Sequence, residues 1–170
     1  MSMLNSFFSF KYKGREELFE GLSIWKKEKY RMLQGTYPVI FLSFADVKQT
    51  NYKDAVQKIK DSIVEIFLKF EEVFSEEELQ KYREIQMEGC GISDVFAQSA
   101  LKLLSDRLQR YYGKKAIILL DEYDTPMQEA YVHGYWDAFT SFLRSLFNAT
   151  FKTNPYLERA VMTGITRISK

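Results

Sequence analysis

The sequence predicts an α/β fold on a short parallel sheet, and three observations carry that prediction. Two apolar runs, 39–44 (Val-Ile-Phe-Leu-Ser-Phe) and 117–120 (Ile-Ile-Leu-Leu), show no strict polar alternation, the pattern of strands buried on both faces. A third strand-like run, 159–166, lies near the end of the sequence. Between the runs, apolar residues recur on the helical period, and strands that alternate with helices pair in parallel.

The 170 residues suit one domain, and a 46% apolar share with 16% aromatics can build a core. Charge is nearly balanced at +1 and there are only 3 prolines, which argues against disorder and leaves no basic footprint for nucleic acid or membrane. The single cysteine, Cys90, excludes an intrachain disulfide and fits a reducing cytosol; with His133 as the only histidine, neither a zinc site nor a Cys-His nucleophile is indicated. No stretch is long enough to span a bilayer, and the amino terminus lacks the marks of a signal peptide.

From the amino end, Met3, Leu4, Phe7 and Phe8 share one face of a short helix, and Gly14 closes the segment. Leu18, Phe19 and Leu22 suggest a further helical turn. Residues 25–33 read as a basic helix in which Lys26, Lys27, Lys29 and Arg31 surround Trp25, Tyr30 and Leu33, a solvated face with apolar stems. Gly35 and Pro38 bracket the entry to strand 39–44, and Asp46 follows it. Asn51 with Asp54 starts a helix reaching about residue 74, with Val56, Ile59, Ile63, Ile66, Phe67 and Phe70 on its inner side. Ser75 and Glu78 have capping-box spacing and open a helix to about residue 87. The acids Glu71, Glu72, Glu76, Glu77 and Glu78 then form a solvated junction suited to a helix amino end. Ser93 caps a helix through Tyr112, with Val95, Phe96, Leu101, Leu104 and Leu108 inward, and Gly113 ends it. Past Pro126 a loop containing His133 and Gly134 leads to a helix over 135–149, with Phe139, Phe142, Leu143 and Leu146 facing the core. Asn154-Pro155 breaks the chain before the last strand. No repeat or linker interrupts this order.

The chemistry concentrates where the central apolar run meets Asp121-Glu122-Tyr123-Asp124-Thr125-Pro126. The acids fall at a strand's carboxyl end, where ligands bind in open α/β sheets. Four apolar residues followed by Asp-Glu form a Walker B-like string. Its Asp holds Mg²⁺ in phosphoryl-transfer ATPases, and its Glu can orient an attacking water. A strand that merely exits into a polar turn would read the same way.

In series, residues 37–44, Gly113-Lys114-Lys115, Asp121-Glu122-Tyr123-Asp124, Lys152-Thr153-Asn154 and Thr163-Gly164-Ile165 through Lys170 resemble the predicted AAA-ATPase-like family, bacterial P-loop proteins often fused to a PD-(D/E)XK-type nuclease domain. The resemblance covers essentially the whole sequence. It implies an incomplete P-loop NTPase-like parallel sheet with 39–44 at one edge, 115–121 in the middle and 160–166 at the other edge. It makes Asp121 the metal ligand, Glu122 the water-orienting base and Asp124 a supporting, cofactor-side residue. Thr163 and Arg167 would stand near the sensor position, Arg167 acting on the terminal phosphate; a surface arginine reads equally well. The acid pair would lie at the open rim beside Thr166.

No Gly-x-x-x-x-Gly-Lys-Ser/Thr string occurs; Gly113-Lys114 is followed by Lys115, and Leu108 stands in place of the first glycine. The resemblance therefore implies a partial domain over 1–170, without the Walker A strand and loop or the carboxyl-terminal part. It would be cytoplasmic, with Mg²⁺ and ATP as cofactors of the intact parent and none tightly bound here. The unpaired edge of 160–166 would invite self-association. A non-hydrolysing interaction domain is the alternative. A metal-dependent nuclease is weaker, because no buried strand carries its (Asp/Glu)-x-Lys partner.

Overall fold

The computed structural model describes residues 1–89 and 91–165. Its centre is a three-stranded sheet in the order β1 (Val39–Ser43), β2 (Ala116–Asp121), β3 (Leu157–Met162), all parallel. Order and direction match the sequence expectation. β2 is the hub: Ala116, Ile117, Ile118, Leu119 and Leu120 are all buried, and Ser43 pairs with Asp121 in register.

Around the sheet run α1 (Ser2–Phe8), α2 (Glu28–Arg31), α3 (Tyr52–Leu68), α4 (Glu76–Glu88), α5 (Asp94–Tyr112), α6 (Thr125–Val132) and α7 (Trp136–Phe147). On one sheet face Ile40, Leu42, Ile118 and Leu120 join residues of α3, α5 and α7 in the main core. On the other, Val39, Ile117 and Leu119 are packed by Met1, Phe8, Tyr37 and Phe41. Ser9 bridges Tyr37, and the Phe10 amide donates to the Tyr37 carbonyl at 2.9 Å, tying the carboxyl end of α1 to the foot of β1.

Local signals account for the helix boundaries. The Asn51 side chain accepts from the Asp54 amide at 3.0 Å, and the Ser93 hydroxyl from the Phe96 amide at 3.1 Å. Ser75 and Glu78 form the complete capping box, with bonds of 3.3 Å and 2.9 Å. Ser75→Ala is expected to cost about 1 kcal/mol in urea unfolding; an unchanged midpoint would refute the cap's contribution. Gly89 and Gly113 end α4 and α5 with positive φ, 65° and 69°, a conformation that favours glycine.

The acidic junction is tied down. Arg107 pairs with Glu78 at 2.6 Å and Arg83 with Glu76 at 2.8 Å, while Tyr112 donates its hydroxyl to Glu72 at 2.5 Å. The Ser75 amide, and then the Arg107 guanidinium, hold the Glu78 carboxyl below its ordinary value of 4.5. A depressed folded-state value means that this stabilisation is full above the ordinary value and is lost as pH falls through the depressed one. Acid unfolding of Glu78→Gln is expected to show a flatter pH dependence there; an unchanged acid limb would contradict the linkage.

Several sequence expectations need correction. The one apolar face expected of Met3, Leu4, Phe7 and Phe8 is split: Met3 and Leu4 are 64% and 36% exposed, while Phe7 is buried against Phe19. Residues 25–33 do not form one helix; a 3₁₀ turn, Ser23–Lys26, and the single turn of α2 take their place, with Trp25 stacked on Phe19. α3 stops at Leu68, where Lys11 bonds the Lys69 carbonyl and Phe70 folds into the core. Val95 is 78% exposed, since in the first two turns of α5 the buried positions are Ala97 and Ala100. The segment after Pro126 is helical, not a loop: a proline in the first turn lacks only an amide that has no helical partner there, so it starts α6. α7 ends at Phe147 and passes into a π-turn, Asn148–Lys152.

β3 begins at Leu157, two residues before the expected start, and ends at Met162. A register shift leaves Glu158 unmatched between Leu157, opposite Ala116, and Arg159, opposite Ile117. Among the described residues no strand pairs the outer edge of β3, whose Arg159, Ala160, Val161 and Met162 are exposed. No helix among the described residues is long and apolar enough to cross a membrane.

Candidate functional site

The site forms where β2 and β3 both run out. β2 ends at Asp121, half-buried, whose carbonyl accepts the Phe44 amide at 2.9 Å. The next residue, Glu122, adopts φ 51°, the only positive φ among the described non-glycine residues. A left-handed residue with a Cβ costs about 1–2 kcal/mol. The turn it makes is held by the Thr125 amide, which donates to the Glu122 carbonyl at 3.2 Å, and by the Thr125 hydroxyl, which donates to Glu122 Oε2 at 3.2 Å. Glu122 is exposed, so its carboxylate stands at the rim.

Beyond β3, Thr163 extends the ladder. Its amide donates to the Leu120 carbonyl at 3.0 Å, and its carbonyl accepts the Tyr123 amide at 3.1 Å. These two bonds place Thr163 opposite Asp121, and its hydroxyl donates to Asp121 Oδ1. Asp121, Glu122 and Thr163 therefore meet at the carboxyl end of the sheet. The expected neighbour Thr166 and the expected site residue Arg167 lie outside the described residues, as does Cys90.

Asp124 sits apart from the open rim, 2% exposed. Its Oδ2 accepts the Ile165 amide at 2.9 Å and Gln128 Nε2 at 3.2 Å, and the Gln128 amide donates to its carbonyl at 2.9 Å. Tyr123 borders a groove of about 630 Å³ whose lining includes Met127, Trp136, Leu143, Arg144 and Met162. His133 pairs with Glu129 at 3.4 Å on the surface. Among the described residues, no group of three or more His, Cys, Asp or Glu side chains is placed to hold a metal ion.

The sequence did not reveal Thr125, the first residue of α6, as the group that fixes Glu122. Nor did it reveal the contact between Gly164 and Asp124, for which the bare glycine after Thr163 was the available signal.

A family model described as Predicted AAA-ATPase matches residues 1–170. Neither the curated proteins nor the solved structures give a match.

Proposed function

The chain belongs to the predicted AAA-ATPase family, and we propose that its acidic apex is the metal-facing side of an ATP-hydrolysing site. One observation carries the reading: the hydroxyl of Thr163, on the strand beside β2, is bonded to Asp121 at the sheet's carboxyl end. That rim is where open parallel sheets bind ligands. A strand that simply turned into solvent would need no such fixing of its terminal carboxylate.

The donor set suits Mg²⁺. Carboxylate and hydroxyl oxygens are hard ligands, and Mg²⁺ is commonly held by one or two carboxylates with waters and substrate phosphates rather than by an all-protein cage. Asp121 would hold the ion through the oxygen that Thr163 leaves free. With ATP present, such an ion would supply neutralisation of phosphate charge. Glu122, exposed and steadied by Thr125, would orient the attacking water and accept its proton. Thr163 holds Asp121 in place, and Arg167 would sense the terminal phosphate.

The amide cradle that grips phosphates is not among these residues, since no Walker A string occurs in the sequence. The 170-residue chain alone is therefore expected to bind ATP more weakly than about 1 mM, near the bottom of the useful affinity range, and not to turn it over. Calorimetry with Mg²⁺ and ATP checks this; tighter binding or steady phosphate release would contradict it.

The same missing cradle favours a second reading, a non-hydrolysing interaction domain that pairs through the outer edge of β3. Light scattering separates the outcomes: concentration-dependent dimers that dissociate in Val161→Lys support edge pairing, and a monomer at every concentration opposes it.

A further inference from the structure

We propose that Asp124 and Gly164 form a latch that positions the Asp121 carboxylate through Thr163, so that Asp124 is a positioning residue and not a ligand. The inference rests on the metal-facing reading of the apex.

Asp124 occupies the cap position of α6, yet its side chain makes no capping bond. It is turned toward the chain that leaves β3, where Oδ2 takes the Ile165 amide. Gly164 lies directly on it. A Cβ built at Gly164 would stand 2.5 Å from Asp124 Oδ1, 2.7 Å from its Cγ and 2.9 Å from Tyr123 Cε1. Real Cβ atoms essentially never come that close to any of the three, and the carboxylate cannot swing away without releasing Ile165. The glycine is thus required by close approach, not by backbone angle.

The latch fixes what the strand ladder leaves open. Backbone bonds to Leu120 and Tyr123 hold Thr163 at the level of Asp121. They do not fix the direction in which the chain departs, because β3 has no partner on its outer side among the described residues. Asp124 supplies that direction one and two residues further on, and so aims the Thr163 hydroxyl at Asp121 Oδ1. A buried carboxylate at this spot is costly unless fully bonded. Gln128 Nε2 serves it from α6, and the bond from the Ile165 amide ties it to the segment that sets the apex geometry. The arrangement follows the general rule that groups behind a ligand orient it.

The test uses the full chain, with Mn²⁺ alone as the probe, read by relaxation of backbone amides, together with hydrogen exchange of the Thr163 and Tyr123 amides. Gly164→Ala and Asp124→Ala are expected to weaken Mn²⁺ binding about tenfold and to speed exchange at both amides about tenfold. Asp124→Asn should recover most of both, since its amide oxygen still accepts from Ile165. Ile63→Val, a fully buried core substitution in α3, should lower the melting temperature and leave both readouts unchanged. If Asp124→Ala does not fold, Gly164→Ala carries the test. Wild-type Mn²⁺ affinity and exchange in Gly164→Ala overturn the latch, as do losses equal to those of Ile63→Val. Asp121→Asn separates the two claims. Unchanged Mn²⁺ binding there overturns the metal reading and the latch's role in it. A loss there, with none in Gly164→Ala, overturns the latch alone.

Discussion

Phe67→Ala is expected to remove about 3–5 kcal/mol of stability in urea or thermal unfolding, the largest loss we anticipate from a single side chain. Phe67 is fully buried on α3 and stacks on Phe74 at 5.2 Å, with Tyr82 edge-on at 5.1 Å and Phe96 at 6.1 Å. It therefore joins α3 to α4 and α5. Truncation leaves a cavity among rigid rings that cannot all collapse inward. Phe67→Leu fills most of the space and should recover about half of the loss. A loss under about 1 kcal/mol for the alanine variant would mean that the aromatic cluster is not what binds these helices.

Asp121→Asn is expected to weaken Mn²⁺ binding about tenfold or more, without a matching loss of stability. Asparagine keeps the size of the side chain and can still accept the Thr163 hydroxyl, so the ladder beside it should survive. What it removes is the charge that a divalent cation requires at this point. Glu122→Gln should have a smaller effect on the metal, since Glu122 is exposed and bonded to Thr125 rather than to Thr163. Glu122→Gly should hold or raise the melting temperature, because glycine adopts φ 51° without the Cβ penalty; a clear fall would show that the Thr125 bond outweighs the backbone cost.

Much of this fold was legible because its signals are local. The capping box at Ser75 and Glu78 and the caps at Asn51 and Ser93 each lie within three residues of the amides they serve. The strand order came from the family resemblance, and the buried run at 117–120 marked the hub by itself. The errors arose where local strings admit two outcomes. Pro126 can stop a helix or start one, and the open amides of the first turn decided for starting. Met3 and Leu4 are as apolar as Phe7 and Phe8, and only tertiary contact with Phe19 chose the face. The extra residue at Glu158 is a property of a ladder between strands some 40 residues apart, so the start of β3 was misplaced.

The candidate site divides the same way. Asp121 and Glu122 were legible from an apolar run that meets acids. Thr163 entered through the resemblance, and its bond to Asp121 is the detail that gives the pairing geometric content. The seat of Asp124 beneath Gly164 could not be read from the sequence, because it is set by how closely two chain segments pass.

The most direct measurement of the central claim is Mn²⁺ titration of the wild-type chain, with paramagnetic broadening mapped over every backbone amide. Broadening is expected to centre on residues 121–123 and 163–164 and to be displaced by excess Mg²⁺. Broadening centred instead on the acidic junction at 71–78, or none at the end of β2, would contradict that claim.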